Sequence, residues 1–94
     1  MLRAEHKVKG GKLIKIQLRM KGDRIDAIKI TGDFFMHPEE LIDDLEKTLI
    51  GCPLDKEKIT ETIENFIESR KVTLLGAAPE DFVKCIMKAG GKNG

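Results

Sequence analysis

Two cysteines and two histidines are the side chains of this 94-residue chain best suited to covalent or metal chemistry. Cys52 stands between Gly51 and Pro53, in an expected turn joining two helical stretches, where a thiol can be exposed, and a role as sulfur carrier or cluster ligand is the minor alternative there. A reactive thiol needs a helix N-terminus or a nearby cation to lower its pKa, and neither cysteine has one in sequence. Cys85 lies between Phe82 and Ile86 on a helix and reads as a small core residue. His6 and His37 are far apart and neither has a second ligand at metal spacing, so no metal ligand is assigned. His37 directly precedes Pro38 and is expected at the N-terminus of the first helix. Glu39-Glu40 and Asp43-Asp44 read as the wet side of that helix. No Ser-His-Asp or Cys-His arrangement can be assembled. The chain carries no self-sufficient active site.

Two short segments remain as contact candidates. In Lys9-Gly10-Gly11-Lys12, adjacent glycines expose backbone N–H groups to a phosphate or carboxylate, with ammonium groups on either side. The spacing is not that of a P-loop, and a plain turn is the alternative. Gly32-Asp33-Phe34-Phe35 follows a strand and presents an acid and two successive aromatics. In extended backbone, Phe34 and Phe35 point to opposite faces. One enters the core; the other packs elsewhere in the domain or anchors a partner, since aromatic side chains concentrate at interface centres. Asp33, Phe34, Phe35 and His37 thus join Lys9, Gly10, Gly11 and Lys12 as candidate contacts.

The elements that must hold these segments follow from periodicity. Between Lys12 and Lys21, Ile14, Ile16, Leu18 and Met20 alternate with polar residues, a period of two that predicts a strand with one wet face. Gly22-Asp23 predicts a turn, and Arg24 to Thr31 a second strand. A strict two-residue turn would place Ile28 opposite Gln17, on the wet face. The reading is therefore a three- or five-residue connection, or a bulge near Ile25, pairing Ile16 with Ile28 and Ile14 with Ile30. Residues 4–9 suggest a short extra strand.

Helical spacing takes over afterwards. A first helix opens at Pro38, carries Leu41, Ile42, Leu45 and Leu49, and stops at Gly51. A second is capped by Asp55 and carries Ile59, Ile63, Phe66 and Ile67. Pro79 opens a third, with Phe82, Val83 and Ile86 inward. Val72 to Gly76 is a brief strand or a packed connection, and residues 90–94 are expected to fray. The result is an α+β domain of two layers, with an antiparallel sheet of two to three strands packed by about three helices.

Length and composition set the limits. The 94 residues fit one domain spanning 1–94. With no Trp, no Tyr and four Phe, there is no aromatic platform for stacking on bases, which argues against nucleic acid as partner. No apolar run is long enough to span a bilayer, and the first residues lack a signal-peptide pattern, so a cytoplasmic, membrane-free setting is expected. Net charge is +1, but unevenly spread. Residues 1–32 hold nine Lys/Arg against three Asp/Glu, and residues 33–81 hold five against thirteen. The basic third either is a solvated face or steers an anionic partner.

Together these motifs identify a family resemblance. Val8-Lys9-Gly10-Gly11-Lys12-Leu13-Ile14, then Ile30-Thr31-Gly32-Asp33-Phe34-Phe35 with Pro38-Glu39-Glu40, and later Leu74-Leu75-Gly76-Ala77-Ala78-Pro79-Glu80-Asp81-Phe82 resemble the accessory C-terminal domain of lipoate–protein ligases. The likeness covers roughly residues 5–89. Lys9 departs from it, standing where members often have proline. A chain of this size looks like the small subunit of the two-protein form typical of archaea. The resemblance implies a heterodimer whose catalytic subunit holds lipoate, ATP and Mg and makes lipoyl-AMP, while the accessory chain binds no cofactor alone. It implies lipoyl transfer to a lysine of lipoyl domains in 2-oxoacid dehydrogenase or glycine-cleavage proteins. The fold implied resembles that of iron–sulfur scaffold and sulfur-acceptor accessory proteins. A sulfur-transfer or iron–sulfur role using Cys52 is the alternative on the same fold.

Overall fold

Three strands lead the chain in the computed structural model, which describes residues 1–91. β1 (Leu2–Lys7), β2 (Leu13–Lys21) and β3 (Arg24–Gly32) form an antiparallel sheet with β2 at its centre. The alternation in β2 is read directly as sidedness: Ile14, Ile16 and Leu18 are buried, while Lys15, Gln17 and Arg19 face water. β1 starts two residues earlier than its expected range.

The β2–β3 register confirms the bulge. Gly22 and Asp23 form a two-residue turn that pairs Lys21 with Arg24 and Met20 with Ile25. The register then slips between Arg19 and Met20, so that Arg19 faces Ala27 and Leu18 faces Ile28. That one extra residue carries Ile28 and Ile30 to the buried face. The individual partners differ from expectation: Ile16 meets Ile30 rather than Ile28, and Ile14 meets Gly32 rather than Ile30. An even displacement leaves every side chain on its own face, so apolar parity alone does not distinguish the two registers.

Helices α1 (Leu41–Leu49), α2 (Lys56–Ser69) and α3 (Pro79–Ala89) complete the second layer. α3 packs beneath β1 and β2, α1 beside β3, and α2 across both helices. Ile14, Ile16 and Leu18 meet Leu45, Leu49, Ile59, Ile63, Phe82 and Ile86 in one buried cluster. The Asp55 carboxylate accepts the Lys58 N–H at 3.1 Å and caps α2. Glu46 of α1 accepts the Ile30 N–H at 2.7 Å, occupying a backbone donor of β3 that β2 does not serve. Among the described residues, no helix is long and apolar enough to cross a membrane.

The first helix opens later than its proline suggests. Pro38, Glu39 and Glu40 form a turn whose Pro38 and Glu39 carbonyls accept the Leu41 and Ile42 N–H groups, and α1 begins only at Leu41. His37 therefore does not sit at a helix N-terminus. It ends β4 (Phe35–His37), which pairs antiparallel with β5 (Thr73–Leu75) as a separate two-stranded sheet. Three-residue strands are too short to show a period, so β4 is silent in the sequence. At the other end, Gly90 and Gly91 close α3 through N–H bonds to the Ile86 and Lys88 carbonyls. The other residues of the expected frayed tail, 92–94, lie outside the described residues.

Cys85 is fully buried on α3, its Sγ 3.6 Å from the Ala4 carbonyl oxygen and 3.7 Å from that of Ile14. Burial pushes its thiol from 9.0 up to about 11, outweighing the opposing pull of Lys88. The folded chain thus keeps a proton that the unfolded chain has released, and stability falls as pH rises from 9.0 toward about 11. Denaturant titrations across that range should show the native chain losing up to about 3 kcal/mol relative to Cys85→Ala; parallel curves for the two proteins contradict the assignment. Glu46→Ala should lower stability by about 1–3 kcal/mol by stranding the Ile30 N–H. Glu46→Gln keeps an acceptor oxygen and should retain much of it, and equal losses in both variants would assign the effect to charge instead.

Candidate functional site

The two glycine motifs and β5 converge at one end of the sheet. Val8 N–H donates to the Lys12 carbonyl at 2.7 Å, and Gly11 N–H to the Val8 carbonyl at 3.0 Å, closing the β1–β2 loop on itself. Gly10 and Gly11 have φ of 101° and 91°, a left-handed backbone that other residues adopt at a penalty. Beside this loop, Gly32 passes so near β2 that a Cβ would overlap the Leu13 carbonyl oxygen. The Asp33 N–H then donates to that same oxygen at 2.9 Å. Gly76, following β5, completes the junction. A Cβ there would stand 3.5 Å from the Phe34 Cα and 3.7 Å from the Lys12 Cγ. Leu75 and Gly76 carry part of the family resemblance but are not among the candidate contacts read from sequence, although a glycine ending a short apolar run is the available signal.

A concavity of about 490 Å³ opens at this junction, lined by Gly10, Gly11, Lys12, Gly32, Asp33, Phe34 and Phe35. The two aromatics divide as extended backbone requires. Phe34 turns inward and meets Phe82 edge to face, with ring centroids 5.0 Å apart. Phe35 turns outward, 65% exposed, directly across from Leu75, itself 61% exposed. His37 shares the exposed side of β4 with Phe35, and Met36 between them is buried. Behind Phe35 lies a second hollow of about 390 Å³, bounded by Met36, Glu39, Ile42 and Asp43. Phe35 therefore stands as a ridge between two depressions.

Lys9, Lys12 and Asp33 are all exposed at this end. The expected pair of free glycine amides is only half available, because the Gly11 N–H is committed to Val8. What the arrangement offers is an apolar projection, one ammonium-bearing loop and a shallow cleft: a surface for docking. Among the described residues, no group of three His, Cys, Asp or Glu comes together in a way that could hold a metal ion.

The other chemistry-bearing residues are occupied structurally. His6 Nε2 lies 3.0 Å from Asp81 Oδ1, and the second Asp81 oxygen accepts the Ala78 N–H at 2.8 Å. This pair ties β1 to the start of α3. Cys52 is buried, contrary to the expected open turn, with Sγ 3.8 Å from Thr62 Oγ1. The cause is backbone pairing: Gly51 N–H donates to the Ile25 carbonyl and Ile25 N–H to the Cys52 carbonyl, drawing the turn onto β3.

Comparison with known proteins agrees with this layout. The family model described as the bacterial lipoate protein ligase C-terminus matches residues 1–86. Lipoate-protein ligase A subunit 2 of Thermoplasma acidophilum is 42% identical over 74 residues, covering 79% of this chain and 76% of that protein. A solved structure reporting an archaeal bipartite lipoate protein ligase and its E2 lipoyl domain, from the same organism, superposes with a TM-score of 0.79. It is 39% identical and covers 89% of this chain and 91% of that one. With Cys52 buried and these relatives named as ligase parts, the sulfur-transfer alternative is set aside. The cleft and its outward phenylalanine are features of a chain that belongs to the lipoate–protein ligase C-terminal domain family.

Proposed function

We propose that the chain is the accessory subunit of a two-chain lipoate–protein ligase and works by docking on a separate catalytic subunit. In this reading the catalytic subunit takes lipoate and magnesium-bound ATP as substrates and forms lipoyl-AMP in the cytoplasm. The lipoyl group then passes to a lysine of a lipoyl domain, of the 2-oxoacid dehydrogenase or glycine-cleavage type. The observation that carries the reading is the exposed Phe35–Leu75 pair beside the Lys12 loop, on a chain 42% identical to a ligase subunit. An exposed aromatic flanked by hollows is the shape of an interface anchor.

The chemistry gives the docked chain a task. Adenylation moves negative charge among phosphate and carboxylate oxygens, and fixed positive groups stabilise that charge best when a neighbouring surface holds them in place. Lys12 and Lys9 stand on a loop whose backbone is internally hydrogen-bonded, so their positions are narrowed before any partner arrives. Phe35 supplies the apolar contact that locates this loop, and Asp33 and His37 border it.

Mixing this chain with its catalytic subunit, ATP and lipoate should produce lipoyl-AMP at a rate neither chain achieves alone. Phe35→Ala should weaken association about tenfold or more, the effect of losing one anchor. Lys12→Ala should reduce adenylate formation at saturating accessory chain. Normal behaviour of both variants contradicts the residue assignments, and failure of the native pair to associate contradicts the subunit role itself.

A further inference from the structure

Phe35 is bordered by charges of opposite sign on its two flanks. On one side the cleft carries Lys12, with Lys9 beside it on the same loop and Asp33 as its one acid. On the other, the hollow bounded by Met36 and Ile42 carries Glu39 and Asp43. All five charged side chains are exposed. None of them forms a salt bridge among the described residues. Between the flanks stands Phe35, the one phenylalanine of four that is not buried, with exposed Leu75 across from it.

We infer that a free chain pairs with a second copy of itself across this ridge, in a two-fold dimer that covers Phe35 until the catalytic subunit takes the same surface. The pairing rests on the surface alone; its displacement by a catalytic subunit rests on the ligase reading above. Both sides of the contact are known, because each copy in a two-fold dimer offers the same patch. With the axis running along the ridge, between the two flanks, the basic cleft of one copy lies over the acidic hollow of the other. Lys12 then faces Glu39 and Asp43 of the second copy, and symmetry makes that pairing twice. An axis turned through a right angle would set like charges face to face, so the signs choose one orientation. At the centre the two Phe35 rings meet beside the Leu75 side chains, and the hollow of about 390 Å³ behind each ridge gives the rings room to slide past one another. Size sets the strength. One ring and one leucine per copy fall short of the apolar centre of a lasting dimer. The pair therefore forms at high concentration and yields to a partner that covers more.

Sedimentation equilibrium of the full chain, carried up to about 1 mM, should follow a monomer–dimer equilibrium. Phe35→Ala should weaken it about tenfold or more. Lys12→Glu sets acid against acid and should weaken it by about tenfold at low salt. Lys12→Glu combined with Asp43→Lys restores opposed signs and should recover most of the lost association. Asp43 lies in the first turn of α1, where a lysine opposes the helix dipole. Glu39→Lys, outside the helix, therefore serves as a second rescue partner for Lys12→Glu. A native chain that stays monomeric overturns the inference, as does open-ended assembly, or loss without rescue in both double variants. Adding the catalytic subunit should convert the dimer into a one-to-one pair, and a complex that retains two joined copies overturns the shared surface. If the dimer forms and responds to the variants as expected but the catalytic subunit does not bind, the ligase reading has failed and the pairing stands.

Discussion

Where β3 leaves the sheet, the Leu13 carbonyl oxygen accepts the Asp33 N–H while Gly32 passes directly over it. Only a residue without a Cβ fits this crossing. The crossing fixes the direction in which the chain departs, and from that direction Phe34 falls beneath the helices against Phe82. Phe35 must then face outward, whatever the solvent penalty, because successive residues of extended backbone alternate. The cleft, the ridge and the β4–β5 pairing are consequences of one backbone approach.

The remainder of the domain supports that crossing. The bulge between Arg19 and Met20 delivers Ile28 and Ile30 to the covered face, which keeps the far end of β3 in register with β2 at Gly32. Glu46 then holds β3 from its outer side through the Ile30 amide, and the His6–Asp81 pair holds β1 to α3. No side chain in this set is reactive. Cys85, the most deeply placed nucleophile, has its thiol raised to about 11 by burial and acts as a packing residue. In the function proposed above, the chain works by shape and charge presented to another protein.

Much of this was legible in the residues. The period of two in β2, the need for either a longer turn or a bulge near Ile25, the Asp55 cap and the opposed faces of Phe34 and Phe35 all follow from local rules; the structure keeps the two-residue turn and takes the bulge. The candidates Gly10 to Lys12 and Asp33 to Phe35 gather at one cleft because both motifs lie at the same end of the sheet. What was not legible depends on contacts distant in sequence. β4 exists only through β5, some forty positions later, so His37 reads as the N-terminal flank of a helix when it ends a strand. Cys52 read as open because nothing local reveals that its turn pairs with Ile25. The exact partners of Ile14 and Ile16 were missed by two residues, a displacement to which apolar parity is blind.

Amide hydrogen exchange on the chain alone and with its catalytic subunit addresses the central claim, that this domain acts as a docked companion through its outward ridge. The account predicts new protection concentrated in Phe35 to His37, Thr73 to Leu75 and the Gly10–Lys12 loop, with the buried helices unchanged. Protection confined to the helical layer, or no change on mixing, would contradict it.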